Sequence, residues 1–165
     1  MKLDDVRAGE RIFVDANLLV YHFANHPVFG PGCTDFLKRA QNNEVAAFIS
    51  THVLSEAAHH LMTFEASQQF GWPSKIVDRL KRQPAQIQQL SAFRHAVEKV
   101  PQLGIQVLTI PANLVAAAAA LSIQHGLLTN DALVVAVMQA NGLTNIASSD
   151  ADFDRVAGLR RYAPA

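Results

Sequence analysis

Arg11-Ile-Phe-Val-Asp15-Ala-Asn17-Leu-Leu-Val-Tyr21 decides the fold. An apolar run of strand length ends on an acid and passes at once into a helical pattern. The arrangement recurs along the chain. Val45-Ala-Ala-Phe-Ile-Ser50 leads into a helix that carries Glu56 one and a half turns in. Asp131 opens the helical stretch Asp131-Ala-Leu-Val-Val-Ala-Val-Met138, and Asp150 follows the run Ile146-Ala147-Ser148. Unpaired buried charge is expensive, so carboxylates collected at strand ends need a common cause. A shared hard cation, Mg²⁺ or Mn²⁺, supplies one, because such ions prefer carboxylate oxygens.

Strand-length runs alternating with helices predict βαβ units around a mostly parallel sheet. Strands are expected at 11–14, 45–50, 106–110, 145–148 and 160–163. Helices are expected at 17–23, 33–42, 51–67, 112–125 and 130–141, with a short one at 152–156. Their ends carry ordinary punctuation: Ser50 or Thr51 as a cap, Pro111 at a helix start, Gly126 and Gly142 after helix ends. Open parallel sheets bind ligands beyond the carboxyl ends of their strands, where strand order reverses. Asp15, Glu56, Asp131 and Asp150 can all converge there.

At 165 residues, half of them apolar, the chain suits a single domain, 1–165. Fourteen basic and fourteen acidic side chains cancel, so no global basic field advertises nucleic acid. A metal binding phosphate locally would not need one. The single cysteine, Cys33, excludes an internal disulfide and suits a reducing cytosol. The charged N-terminus lacks a signal peptide's apolar core, and the alanine-rich stretch 114–121 is too short to span a bilayer. The expected location is cytoplasmic, without a membrane partner.

Residues 67–104 break the rhythm. Pro73, Pro84 and Pro101 divide them into two expected helices, 74–83 and 85–100, with no strand. Lys75, Arg79, Lys81, Arg82, Arg94 and Lys99 outnumber Asp78 and Glu98 by four. This basic helical insertion is either a phosphate-facing arm or a hairpin with a solvated basic face that packs on a second subunit. The second reading is preferred.

Phe13-Val-Asp15-Ala-Asn17-Leu-Leu-Val-Tyr21, Ser50-Thr-His-Val-Leu-Ser-Glu56, Asp131-Ala-Leu-Val-Val-Ala136 and Ser148-Ser-Asp150-Ala-Asp152-Phe153 together resemble the PIN-domain nucleases. The short form is similar to the VapC toxins of toxin–antitoxin pairs. The resemblance spans nearly the whole chain in order and spacing, although each motif alone is common. It implies a three-layer α/β/α sandwich and a Mg²⁺- or Mn²⁺-dependent ribonuclease that hydrolyses phosphodiester bonds of RNA. It also implies a small antitoxin partner and a homodimer. By matching position, Asp15, Glu56, Asp131 and Asp150 would be the catalytic metal ligands. Asn17 and Ser148 would orient them, Ser148 standing where the family has threonine. Asp152 would be a fifth acid, either a peripheral ligand or a cap.

Blander readings compete. Asp15 suits a strand-end turn, Asp131 a first helical turn and Asp152 the cap of the Phe153 helix. Seven histidines invite zinc, but no partnering cysteines and no His-Glu-x-x-His motif accompany them. A phosphoaspartyl phosphatase is disfavoured because Asp15-Ala-Asn17 lacks a second aspartate. The remaining alternative is a catalytically weak PIN-fold module that binds RNA or protein.

Overall fold

A computed structural model describes residues 1–165. Its five strands are β1 (Arg11–Val14), β2 (Ala46–Ser50), β3 (Gln106–Leu108), β4 (Asn145–Ala147) and β5 (Arg160–Tyr162). They form one wholly parallel sheet in the order β3-β2-β1-β4-β5. Ile12, Phe13, Val14, Ile146 and Ala147 are fully buried, because the two central strands are covered on both faces. That double burial is why they read as unbroken apolar runs.

The helices are α1 (Ala16–Phe23), α2 (Gly30–Gln41), α3 (Thr51–Phe70), α4 (Ile76–Arg82), α5 (Pro84–Ile87), α6 (Ala92–Lys99), α7 (Ala112–His125) and α8 (Thr129–Ala140). From β1 through β2 to β3 the chain advances one way across the sheet. It then returns past β1 to β4. Right-handed crossovers therefore place α1 to α6 on one face and α7 with α8 on the other. The result is the expected α/β/α sandwich around a core of 34 buried residues. The reversal of direction falls between β1 and β4, so a cleft opens beyond their carboxyl ends.

Local chemistry sets the element ends. The Ser50 hydroxyl accepts from the Val53 N–H at 3.2 Å and caps α3. Gly126, at φ +65°, adopts the left-handed conformation that ends α7. The expected strand 106–110 stops at Leu108, and the expected helix at 152–156 is a 3₁₀ turn, Ala151–Arg155.

The 67–104 segment needs more correction. Its first residues belong to α3, which runs on to Phe70 and stops at the left-handed Gly71. The expected second helix is broken into α5 and α6. Ala66, Leu80 and Leu90 form a satellite core here, packed by Met62, Phe70, Trp72, Ile76, Ile87 and Phe93. Burying Leu90 holds the break open, and Glu65 on α3 fixes the start of α6. The Glu65 carboxylate accepts the N–H groups of Ser91 (2.8 Å), Ala92 (2.9 Å) and Phe93 (2.9 Å). It thus caps α6 from another helix. Burial pushes its pKa up, but the three N–H bonds outweigh this and hold it below the usual value. Glu65→Gln would turn an amide donor toward one of these donors. We expect a loss of about 1–2 kcal/mol, read as a Tm lower by a few degrees with the sheet intact. An unchanged Tm would mean that the cap contributes nothing.

Candidate active site

Asp15, Ala16, Asn17, Val20, Tyr21, Glu56, His60, Asp131, Val134 and Asp150 line one cleft of about 330 Å³. All four acids expected at the site therefore share it, each delivered by a different element. Asp15 ends β1 and caps α1, Glu56 comes from α3 and Asp131 from the first turn of α8. Asp150 follows β4.

Asp15 is 9% exposed and tightly held. Its Oδ1 accepts the Ala16 N–H at 2.7 Å, and its Oδ2 accepts from the Asn17 amide and, at 2.6 Å, from the Ser148 hydroxyl. Ser148 is fully buried and acts as a hub: its Oγ also accepts from Asn17 Nδ2 (3.1 Å) and from the Asp150 N–H (3.0 Å). Asn17 Oδ1 accepts the Ser149 N–H at 3.2 Å. These bonds tie the loop after β4 to the β1–α1 junction, so Asp15 and Asp150 keep a fixed relation. The hydroxyl is what this hub requires, and serine provides it as threonine would.

Of the two roles expected of Asp152, peripheral ligand or cap, the structure gives the cap to another residue. Asp150 is the cap: its Oδ1 accepts the Asp152 N–H at 2.8 Å. The 3₁₀ turn then brings Asp152 back toward the cleft. One carboxylate oxygen from each of Asp131, Asp150 and Asp152 lies within 4.8 Å of the others. Arg155 pairs with Asp152 at 2.9 Å. Asp154 faces solvent and holds Arg161 through two bonds of 2.8 and 2.9 Å.

Crowding shows in the electrostatics. Burial raises the Asp15 pKa, the Ser148 and Ala16 bonds oppose it, and Glu56 and Asp150 raise it further. Asp131 is pushed up to about 6, by burial first and then by Asp150, Asp15, Glu56 and Asp152. Like charges this close favour protonation unless a cation neutralises them. The donor set is all oxygen, with open lone pairs on several carboxylates, which fits Mg²⁺ or Mn²⁺ and not a thiolate-seeking metal. No histidine joins the cluster of Asp131, Asp150 and Asp152. Sequence reasoning missed Tyr21 as a cleft residue, though its position one helical turn past Asn17 was a usable signal; its hydroxyl lies 3.3 Å from Ser149 Oγ.

The comparisons with known proteins fit this geometry. No curated protein matches the chain. Among solved structures, VapC20 of Mycobacterium tuberculosis, described as a Sarcin-Ricin loop cleaving toxin, is similar with a TM-score of 0.59 and 19% identity; the match covers 87% of this chain and 92% of that one. VapBC2 from Rickettsia felis, bound to a promoter DNA fragment, matches at 0.54 and 17% over 94% and 99% of the chains. A toxin–antitoxin complex from Klebsiella pneumoniae matches at 0.54 and 15% over 90% and 95%. At such identities the likeness concerns the fold. The PIN domain family model, in contrast, matches residues 12–159. With nearly the whole chain under that one model and the acids gathered at the sheet's reversal point, the protein belongs to the PIN domain family.

Proposed function

We propose that the protein is a Mg²⁺- or Mn²⁺-dependent endoribonuclease and the toxin of a toxin–antitoxin pair. The observation that carries the reading is the convergence of Asp15, Glu56, Asp131 and Asp150 on one cleft, with Asp152 completing a compact carboxylate set. Asp131, Asp150 and Asp152 would hold the cation, and Asp15 and Glu56, lining the same cleft, would complete its carboxylate ligands. Bound there, the ion would supply positive charge to a phosphodiester and to the attacking water. Asn17 and Ser148 keep the Asp15 carboxylate fixed, so little reorganisation is needed as charge develops. Incubation of a labelled single-stranded RNA with Mn²⁺, and with excess chelator, tests the reading. Cleavage with Mn²⁺ alone, leaving 5′-phosphate ends, is expected. Mn²⁺ binding without any cleavage would favour the catalytically weak binding module.

Two surfaces support the partners. A groove of about 650 Å³ between α1, α3 and α6 sets Phe23, Leu61, Phe64, Phe93 and Ala96 beside the polar Glu65, Gln68, Gln69, His95 and Lys99. It suits an apolar helical segment of an antitoxin. Because α1 and α3 also line the acidic cleft, a basic residue of that segment could reach the carboxylates. The exposed face of α7 suits a second copy of the chain. Val115 is 50% exposed, Ile123 89% and Leu128, just beyond, 75%. The helix carries no Asp, Glu, Lys or Arg, so two copies related by a dyad meet no like charge. Ile123→Glu should convert a sedimenting dimer to monomer; an unchanged sedimentation coefficient would remove α7 from the interface.

A further inference from the structure

His60 lines two cavities. One is the acidic cleft; the other is a neighbouring depression of about 350 Å³ lined by His59, His60, Thr63, Lys75, Ile76, Val77 and Asp78. Glu56, His60 and Thr63 stand at i, i+4 and i+7 on α3, one stripe leading out of the cleft. We propose that this stripe, ending on Lys75, is the subsite for the RNA backbone flanking the scissile phosphate. The proposal rests on the nuclease reading and extends it to a strand path.

The chemistry along the stripe suits a ribose-phosphate chain. The cleft itself gathers negative charge, so the adjoining phosphates need donors close by but outside the carboxylate cluster. His60 Nε2 is 3.8 Å from Glu56 Oε1, too far for a hydrogen bond, and the ring is half exposed. A neutral imidazole N–H is donor enough, so no change of protonation is required. His59 lies edge-on to the His60 ring at 6.0 Å between centroids and is exposed. Thr63 donates its hydroxyl proton to the His60 carbonyl at 2.9 Å, leaving the oxygen as an acceptor. A ribose 2′-hydroxyl could donate to it, which a deoxyribose could not.

Lys75 supplies the charge. It is exposed, and no ion pair joins it to Asp78, the one carboxylate in the depression. Its backbone adopts φ +55°, a left-handed conformation that glycine would adopt without penalty. Lysine adopts that conformation at a cost, and the outlier marks this side chain as the one to test. The groove on the other flank of α3 carries Phe23, Leu61, Phe64 and Phe93, whereas this depression offers two imidazoles, a hydroxyl and an ammonium, which is why it is assigned to RNA and not to a protein helix.

Single-turnover cleavage and equilibrium binding of a labelled single-stranded RNA, across a salt series, test the subsite. Lys75→Glu and the shape-conserving Lys75→Gln are compared with wild type, and Lys2→Glu serves as a charge-matched control. Both Lys75 variants should weaken RNA binding, about tenfold for Lys75→Glu, while Mn²⁺ affinity and the rate at saturating RNA stay within twofold. The slope of log affinity against log salt should flatten by about 0.7, one phosphate contact on a single strand. Lys75→Arg should restore it. Thr63→Val should reduce the preference for RNA over the same DNA sequence. If wild type cleaves RNA and the Lys75 variants match the control in affinity and slope, the subsite falls while the nuclease reading stands. If wild type neither binds nor cleaves RNA with Mn²⁺, both fall.

Discussion

Asp15→Asn should leave the fold intact and lower metal-dependent RNA cleavage by a hundredfold or more. The carboxylate sits at the point where strand order reverses, is nearly buried, and accepts bonds from Ala16, Asn17 and Ser148. The amide can keep its oxygen toward one set of these donors. On the other side its NH₂ group meets a donor, the Ala16 N–H or the Asn17 amide according to which way the group turns. Under the proposed function, what would disappear is a negative charge beside the cation and the developing phosphorane. Loss of such a charge in a preorganised site costs several kcal/mol of transition-state stabilisation. Single-turnover assays with Mn²⁺ read the rate, and calorimetric titration should show Mn²⁺ affinity severely weakened. Asp154→Asn is the control, since that carboxylate faces solvent against Arg161. Retention of a tenth or more of the rate by Asp15→Asn, with full Mn²⁺ affinity, would remove Asp15 from the site.

Asp15 is legible in the amino-acid order because both faces of β1 are covered. Ile12-Phe13-Val14 is continuous, and an acid directly after it marks the strand's carboxyl end. Asp131 had a weaker local signal, since an acid in a helix's first turn needs no cleft to justify it. Its perturbation comes first from burial and then from Asp150, Asp15, Glu56 and Asp152, acids distant in sequence that the fold brings beside it. The position of Asp152 depends on a 3₁₀ turn capped by Asp150, a geometry that two residues' spacing cannot distinguish from a chain leaving the site. Glu65 gave no sign at all: its three partners lie 26 to 28 residues away, and their own segment holds no cap of its own. The break before α6 was invisible for the same reason. Gln88-Gln89-Leu90 contains neither proline nor glycine, and only the satellite core explains why the helix stops.

Asp131→Asn should stabilise the metal-free protein at neutral pH and destabilise it relative to wild type once Mn²⁺ is added. No hydrogen bond favours the Asp131 carboxylate; burial and four neighbouring carboxylates raise its pKa from 3.8 to about 6. A folded-state pKa above the unfolded value means that the protonated acid stabilises the fold below about pH 4. This contribution is lost as pH rises through about 6, and above that the ionised group opposes folding. Asparagine has no charge to oppose it. The gain at pH 7.5 in chelator should be about 1 kcal/mol, since much of the group faces solvent and screening reduces the interaction. For a chain of this size that is about 2–4 °C in Tm. The difference should shrink to nothing near pH 4, where both proteins are neutral at this position. Comparing two proteins cancels the acids held below their usual values, such as Glu65, whose contributions run the other way. Saturating Mn²⁺ should then reverse the order, because an ion that binds only the native site stabilises wild type by about 2.7 kcal/mol at a hundred times its Kd. The mutant lacks a ligand and should gain much less. A reversal in chelator and Mn²⁺ melts at pH 7.5 ties the crowding of these carboxylates to metal binding. A mutant less stable in both conditions would mean that Asp131 serves the helix alone, as an acid in its first turn can.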